Sequence, residues 1–112
     1  MFLFKRKIWS IIRPMPIVTI HSSRRPTRPT HTISQIQCRG AEALGGSRDN
    51  IWVQFVEVVS GVERPIVFID ANEGRPIEIK RAFMKVIAEI LEPEFGTAPW
   101  IYFRDLNPMA IY

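Results

Sequence analysis

Apolar and polar positions follow the same course twice along this chain of 112 residues. In each copy a short β-branched run begins at a proline, first Pro16 and then, 49 residues later, Pro65. Each copy closes with an aromatic-rich run, which starts at Trp52 in the first and at Trp100 in the second. Proline and tryptophan are 36 residues apart in the first copy and 35 in the second. This self-similarity predicts two copies of one supersecondary unit.

The first copy is predicted to contain a strand, a helix and a second strand. Ile17 to Ile20 is apolar and β-branched, which favours a buried strand. The helix that follows has Thr30 or Thr32 as its N-cap and ends at Gly45-Gly46. Its apolar face consists of Ile33, Ile36, Gly40, Ala41 and Leu44. Ile51 to Val58 is rich in aromatic and β-branched residues and forms the second strand.

The second copy repeats this order after a turn at residues 60–64. Pro65 to Asp70 is predicted to be a strand and Pro76 to Leu91 a helix, with proline in the first helical turn. A wide apolar stripe supports this helix and consists of Ile79, Ala82, Phe83, Val86, Ile87 and Ile90. Trp100 to Asp105 forms the last strand.

Two β-α-β units predict an α+β domain in which a four-stranded sheet carries two helices on one face. Right-handed crossovers make the strands within each unit parallel. The short link between the units predicts that the second and third strands lie close together. The uncovered face of the sheet needs another subunit, so we expect an oligomer. The domain spans 16–112, with units at 16–60 and 65–112.

The composition narrows the classes of partner. Fifteen Lys and Arg against eleven Asp and Glu give a net charge of +4, which favours acidic partners but does not choose among them. The basic residues are scattered, so we expect no nucleic-acid binding. Cys38 is the single cysteine, which excludes an internal disulfide and a thiolate metal cluster and suits a reducing, cytoplasmic location. With two histidines at unsuitable spacing, we predict no metal site.

Residues 1–15 form an N-terminal arm that precedes the repeat. Its apolar residues are split by Lys5-Arg6-Lys7, whereas a signal peptide places its charges first and keeps its apolar stretch uninterrupted. The arm is either an amphipathic segment that lies on the domain or on a membrane surface, or upstream sequence that the mature protein lacks. We favour the second interpretation because the repeat begins at Pro16.

Two short motifs resemble the tautomerase superfamily, which has the fold of 4-oxalocrotonate tautomerase and macrophage migration inhibitory factor. Pro16-Ile17-Val18-Thr19-Ile20-His21 is similar to the opening Pro-Ile-x-x-Ile-His of that family. Glu73-Gly74-Arg75 stands where the family often has Glu-Gly-Arg before its helix. The resemblance covers Pro16 to about Tyr112. It implies two short tautomerases fused in one chain and assembly as a homotrimer.

The resemblance implies cofactor-independent proton transfer by an amino-terminal proline. A free secondary amine with a depressed pKa can take a proton next to a carbonyl, whereas an internal proline nitrogen is an amide and no base. Pro16 is therefore the catalytic candidate if the mature chain starts there, and Pro65 is silent. The implied activity is keto-enol tautomerisation of a small 2-oxo or enol carboxylic acid. Dehalogenases and decarboxylases of the superfamily use similar parts.

Arginines are the candidate ligands of the substrate carboxylate. Arg75 matches the family arginine with that role, since a guanidinium fork suits a planar carboxylate. In the first copy the matching position falls at Arg24 or Arg25, and either side chain is a candidate.

Tryptophans mark a departure from the family pattern. Trp52 and Trp100 stand where 4-oxalocrotonate tautomerase has a second arginine, and an indole offers one N–H donor and an apolar face instead of a charge. Strand alternation puts Arg104 on the same side of the last strand as Trp100. Arg104 either replaces the second arginine of the family as a cation for the substrate or forms a salt bridge at the edge of the site. We favour the salt bridge. His21 is interpreted as a surface or interface residue, and Cys38 as a packing residue.

Two alternatives belong to other functional classes. In one, the arm is native, Pro16 is an ordinary amide, and the chain is a non-catalytic trimer of this fold that binds a partner or ligand. In the other, the chain is a small basic module that binds nucleic acid or a membrane through the arm.

Overall fold

The computed structural model describes residues 16–72 and 74–106. The elements in chain order are β1 (Ile17–Ser22), α1 (Pro29–Leu44), a 3-10 turn (Arg48–Asn50), β2 (Trp52–Glu57), β3 (Ile66–Asn72), α2 (Ile77–Phe95) and β4 (Trp100–Leu106). The two predicted β-α-β units are therefore confirmed. The predictions for the arm, for Glu73 and for the tail after Leu106 lie outside the described residues.

The four strands form one mixed sheet in the order β2-β1-β3-β4. β1 pairs in parallel with β2, and β3 in parallel with β4, as the crossover rule predicts. β1 and β3 pair antiparallel in the middle of the sheet. The prediction that the second and third strands lie close is wrong, because β1 stands between them. The strands with the most completely buried side chains occupy the centre, and the two more exposed strands form the edges.

Both helices contribute to one core on a single face of the sheet. Alternate side chains of β1 and β3 point into it, and both helices close it from above. Its fully buried members are Val18, Ile20, Ile36, Val67, Ile69, Phe83, Ile87 and Leu91. Burial of each such side chain contributes about 1.5–3 kcal/mol relative to leaving it in water.

The opposite face of the sheet, called the open face below, is uncovered within the described chain. Strand alternation and register give it a mixture of aliphatic, aromatic, polar and charged side chains. These are Ile17, Thr19, His21, Trp52, Gln54, Val56, Ile66, Phe68, Asp70, Trp100, Tyr102 and Arg104. The fold class predicted from the sequence, with two helices on one face of a four-stranded sheet, is confirmed.

Helix α1 starts differently from the prediction. It begins at Pro29, whose missing N–H costs nothing in the first turn, and Arg28 precedes it without a side-chain cap. Thr32 lies inside the helix, where its hydroxyl donates to the Arg28 carbonyl at 3.1 Å. The predicted threonine cap is therefore wrong.

Helix α2 extends four residues beyond the predicted end at Leu91. Pro93 lies in its last turn, where the loss of one N–H donor and a local clash are tolerated more easily than in the middle. Gly96 then ends the helix with φ 72°, and its N–H donates to the Glu92 carbonyl at 2.8 Å.

Gly40 marks a close approach between the two helices. A Cβ atom added there would lie 2.5 Å from Cε1 of Phe83 and 3.4 Å from Cδ1 of Ile51. Phe83 is fully buried and packed on all sides, so its ring has no space into which to move.

We predict that Gly40→Ala destabilises the fold by about 1–3 kcal/mol, because overpacking outweighs the gain of up to about 1 kcal/mol in helix propensity. Thermal or urea unfolding measures the change. Gly46→Ala is the control, since Gly46 has open space and no positive φ, and it should leave stability unchanged or slightly raised. A Gly40→Ala variant as stable as the parent would contradict the close contact.

Candidate functional site

The central strand pair relates the two units by an approximate two-fold axis. In the antiparallel register Thr19 lies opposite Phe68, with two further residue pairs on either side. These two residues are 49 positions apart, which is also the separation of Pro16 from Pro65. The axis therefore passes between Thr19 and Phe68 and places the two prolines at opposite ends of the sheet.

Equivalent backbone hydrogen bonds support this symmetry. The Trp52 N–H donates to the Pro16 carbonyl at 3.0 Å, and the Trp100 N–H donates to the Pro65 carbonyl at 3.0 Å. Both proline rings are fully buried, whereas the tryptophans are 53% and 45% exposed. We call the end with Pro16 and Trp52 the Pro16 end, and the end with Pro65 and Trp100 the Pro65 end.

The Pro16 end also receives residues of the second unit. Because β3 runs antiparallel to β1, its last residues lie beside the start of β1. Asn72 is the last residue of β3, and Nη1 of Arg75 donates back to its carbonyl at 3.3 Å. The half-buried Arg75 is thereby held at the same end of the sheet as Pro16.

Arg104 reaches the open face at the Pro16 end and forms the predicted salt bridge. Its Nε donates to Oδ1 of Asp70 at 2.6 Å, and its Nη2 donates to Oδ2 at 2.8 Å. The guanidinium also lies 4.7 Å from the centroid of the Phe68 ring. Hydrogen bonding to Asp70 raises the pKa of Arg104. This edge of the guanidinium is occupied and is not open to a second carboxylate.

Trp52 presents mainly an apolar ring at the Pro16 end. Its indole N–H donates to Oε1 of Gln54 at 3.3 Å, and Nε2 of Gln54 donates to the Thr19 hydroxyl at 3.1 Å. With its single donor engaged, the indole offers its face to a neighbouring group.

Arg24 and Arg25 lie at the opposite end of the sheet, after the last residue of β1. Arg24 donates to the Glu94 carbonyl, approaches Oε1 of Glu94 at 3.7 Å and lies 4.6 Å from the centroid of the Phe95 ring. It therefore fastens the loop after β1 to the end of α2. Arg25 forms an exposed ion pair with Glu57 at 3.6 Å, of the kind that contributes little in water.

The structure thus divides the predicted site residues into two groups. Within one chain Pro16, Trp52, Arg75 and Arg104 lie at the Pro16 end, with Trp52 and Arg104 on opposite edge strands, whereas Arg24, Arg25 and Trp100 lie at the Pro65 end.

Several neighbours of the site were not predicted from the sequence. Asp70, the partner of Arg104, is four residues after Ile66, as Arg104 is four residues after Trp100, and the parallel register of β3 with β4 is the signal that could have identified the pair. Phe68 packs between His21 and Tyr102, with centroid distances of 5.4 and 5.5 Å. Cys38, interpreted as a packing residue, is exposed, because it lies on the outer side of α1.

The described part of the chain was also searched for metal-binding clusters, membrane-spanning helices and cavities. There, no group of three or more His, Cys, Asp or Glu side chains is placed to hold a metal ion. No described helix is long and apolar enough to cross a membrane. A groove of about 440 Å³ lies between the helices, lined by residues such as Arg28, Arg39 and Glu89, and it includes none of the predicted site residues.

No protein-family model matches the chain, and no curated protein matches it in sequence. Solved structures match the fold of the chain over most of its length. The symmetric trimer of Q0 fused 4-OT is 15% identical, with 86% of this chain and 89% of that chain covered at a TM-score of 0.74. Pt0534 inactivated by 2-oxo-3-pentynoate is 14% identical over 85% and 89%, at 0.75. Macrophage migration inhibitory factor of Toxoplasma gondii is 16% identical over 87% and 95%, at 0.68.

The chain has the tautomerase fold. At these low identities the likeness concerns the fold, and it confirms the sequence resemblance at that level. The two fused β-α-β units of the tautomerase fold correspond to the two copies seen in the sequence.

Glu94 fixes the loop after β1 of this tautomerase-fold chain. The Thr27 N–H donates to Oε1 of Glu94, and Arg24 lies nearby. The hydrogen bond from the Thr27 backbone is the largest influence and holds the pKa of Glu94 below its ordinary value, with Arg24 contributing and burial partly opposing.

We predict that Glu94→Gln lowers the Tm at neutral pH and that its difference from the parent disappears in acid. A carboxyl with a lowered folded pKa stabilises the fold above its unfolded pKa, and this stabilisation is lost as pH falls through the folded pKa. Thermal unfolding between neutral and strongly acidic pH measures the difference. Glu92→Gln, at an exposed position of the same helix, is the control. A gap for Glu94→Gln that stays constant with pH would contradict the assignment.

Proposed function

We propose that this chain is a cofactor-independent tautomerase-like enzyme that uses an amino-terminal Pro16 as general base on a small 2-oxo or enol carboxylic acid. The proposal is supported by one observation above all. Pro16 of the first unit and Arg75 of the second lie at the same end of the sheet. In this proposal the base and the carboxylate ligand come from different units and act at the same end of the sheet.

The proposed reaction moves one proton within the substrate. The Pro16 nitrogen takes a proton from the carbon next to the carbonyl, the C–H electron pair forms a C=C bond while the carbonyl π pair moves to oxygen, and the protonated amine gives the proton to that oxygen to form the enol. Arg75 binds the substrate carboxylate through its fork. In this proposal an apolar, positively charged pocket around the amine disfavours its ammonium form and keeps it available as a base near neutral pH.

Trp52 and Arg104 take supporting roles in this proposal. The indole of Trp52 forms an apolar wall against the substrate, and Arg104, with its fork on Asp70, fixes the end of β3. Arg24, Arg25 and Trp100 remain predicted substrate-binding residues. Since these three residues lie at the Pro65 end, they can bind a substrate at Pro16 only if the Pro65 end of one subunit adjoins the Pro16 end of another.

We further propose that the chain assembles as a homotrimer through the open face. That face exposes the large side chains of Trp52, Trp100 and Tyr102, which an isolated chain leaves in water. Fused 4-OT proteins with this fold form symmetric and asymmetric trimers, which supports the same assembly here.

The central test uses 2-oxo-3-pentynoate, the compound that inactivates Pt0534. It is an electrophilic alkyne, which adds to a free amine and not to an amide. In a chain produced from Met15 with that methionine removed, we predict one adduct per chain, located on the peptide that begins with Pro16. Intact-mass and peptide mass spectrometry measure it. Cys38→Ser is used throughout, since an exposed thiol would also react.

The matched controls are the chain that begins at Met1 and Pro65→Ala. The chain from Met1 should carry no adduct on Pro16, because its Pro16 nitrogen is an amide, and Pro65→Ala should be labelled on Pro16 like the parent. An adduct elsewhere, or none in the chain that begins at Pro16, would overturn the proposal.

We predict that Arg75→Ala raises KM for a small enol acid by about 10–100-fold, the effect of losing a charge-assisted hydrogen-bonded pair. Steady-state kinetics on the chain that begins at Pro16 measure it. Arg48→Ala removes an exposed arginine from the 3-10 turn and should leave KM unchanged. Equal KM values for Arg75→Ala and the parent would remove Arg75 from the site.

A second candidate function is a non-catalytic trimer with a native arm that binds a partner or ligand. In this function Pro16 is joined to Met15 by a peptide bond, so its nitrogen is an amide and no base. The fully buried proline ring then serves as a strand start, as Pro65 does in the second unit.

A further inference from the structure

The two helices enclose a groove on the side of the molecule away from the open face. Its walls come from α1 and α2, and its volume of about 440 Å³ is in the range of small-molecule sites. Thr32 and Ile90, which are 5% and 8% exposed, form its floor. Because the helices cover the opposite face of the sheet, the proposed assembly through the open face leaves this groove in contact with solvent.

Contacts to the acidic side chains of α2 close the groove at both ends. At one end Nη2 of Arg39 donates to Oε2 of Glu89 at 2.5 Å. At the other end Oε1 of Glu94 accepts from the Thr27 N–H, and Nη1 of Arg24 lies 3.7 Å from the same oxygen. Both carboxylates that line the groove are thus paired with a cation, so they repel an incoming anion less than free carboxylates would.

Three side chains of the α1 wall have N–H donors between these two ends. Arg28, His31 and Gln35 follow one another at intervals of three and four residues along the groove, and all three are exposed. Within residues 16–72 and 74–106, none of these side chains forms a hydrogen bond or a salt bridge. The backbone of Arg28 is fixed, however, because Thr32 donates to its carbonyl from the N–H at 3.0 Å and from the hydroxyl at 3.1 Å. Arg28 is thus a positioned cation of the groove whose donors are available to a ligand.

The α2 wall supplies an apolar surface and a backbone acceptor. Pro93 and Ile90 line this side of the groove. Since proline has no N–H, the Glu89 carbonyl lacks the helical donor that any other residue at position 93 would supply. The groove therefore combines donors for an anionic group, an apolar surface for a hydrocarbon body, and an acceptor for a hydroxyl or amine.

We propose that the groove between the helices binds a small organic anion, with the anionic group on Arg28 and His31 and the apolar body on Pro93. The ligand is a carboxylate or a phosphate monoester, since a guanidinium fork suits both. Such a ligand contacts both helices at once and so stabilises the folded chain. The inference goes beyond the proposed function and does not depend on it, because binding uses no group of the Pro16 end.

The test uses benzoate and phenyl phosphate as probes, because they share a ring and differ in the anionic group. Isothermal titration calorimetry of the full chain at constant ionic strength should show saturable binding of at least one of them, and the tighter of the two identifies the anionic group. Benzyl alcohol, which has the ring without the charge, should bind much more weakly. Absence of saturable binding of both anions, or equally tight binding of benzyl alcohol, would overturn the proposal.

Variants at Arg28 test whether its guanidinium binds the anion. Arg28→Ala should weaken binding of the tighter probe about tenfold or more, and Arg28→Lys should weaken it less, because lysine keeps the charge but loses the fork. Arg28→Lys also decides the matter if Arg28→Ala does not fold. Arg81→Ala removes an exposed arginine of α2 outside the groove, so it is the matched control and should bind like the parent. An unchanged Kd in the folded Arg28 variants would overturn the proposal.

Arg75→Ala distinguishes the groove from the Pro16 end. Binding of the tighter probe that is sensitive to Arg28 should survive this substitution, since Arg75 lies at the Pro16 end and does not line the groove. Loss of all binding in Arg75→Ala would place the anion at the Pro16 end and overturn the groove site. Failure of Pro16 to react with 2-oxo-3-pentynoate would leave the titrations of the Arg28 variants unaffected, so the two proposals fail independently.

Discussion

The antiparallel pairing of β1 with β3, centred on Thr19 and Phe68, determines which parts of the two units share an end of the sheet. It turns the two units in opposite directions, so each end of the sheet combines the start of one unit with the finish of the other. Arg75 therefore lies at the same end of the sheet as Pro16, although 59 positions separate them in the chain. A slip of one residue would move Val18 and Ile69 from the core to the open face, so the core protects this register.

Periodicity predicted the elements and the parallel pairs, because buried strands and amphipathic helices have distinct apolar patterns. It did not predict the strand order. The link between β2 and β3 has eight residues, enough to span about 26 Å, whereas two strand spacings need only about 10 Å. A short link therefore does not make β2 and β3 neighbours. The larger apolar burial of β1 and β3 selects them for the centre.

The candidate site was predictable where residues lie close in the chain or follow from strand register, as for Pro16 with Trp52 and for Arg104 at the rim. It was not predictable where a partner comes from far along the sequence. Arg24 was a candidate carboxylate ligand, yet it donates a hydrogen bond to the carbonyl of Glu94, 70 residues away. Glu94 reaches this position because α2 continues past Pro93 to Phe95. The two-fold axis also explains why Pro65 and Trp100 repeat the backbone arrangement of Pro16 and Trp52, although the Pro65 nitrogen is an amide and no base.

The claim on which the proposed mechanism depends is that Pro16 becomes the first residue of the mature protein. The most direct measurement is the intact mass and amino-terminal sequence of the protein made in its own cell from its own upstream DNA. The mechanism predicts a chain that begins at Pro16, with a free secondary amine at the Pro16 end. A mature chain that begins at Met1 would contradict it, and the tautomerase fold would then serve binding without proton transfer.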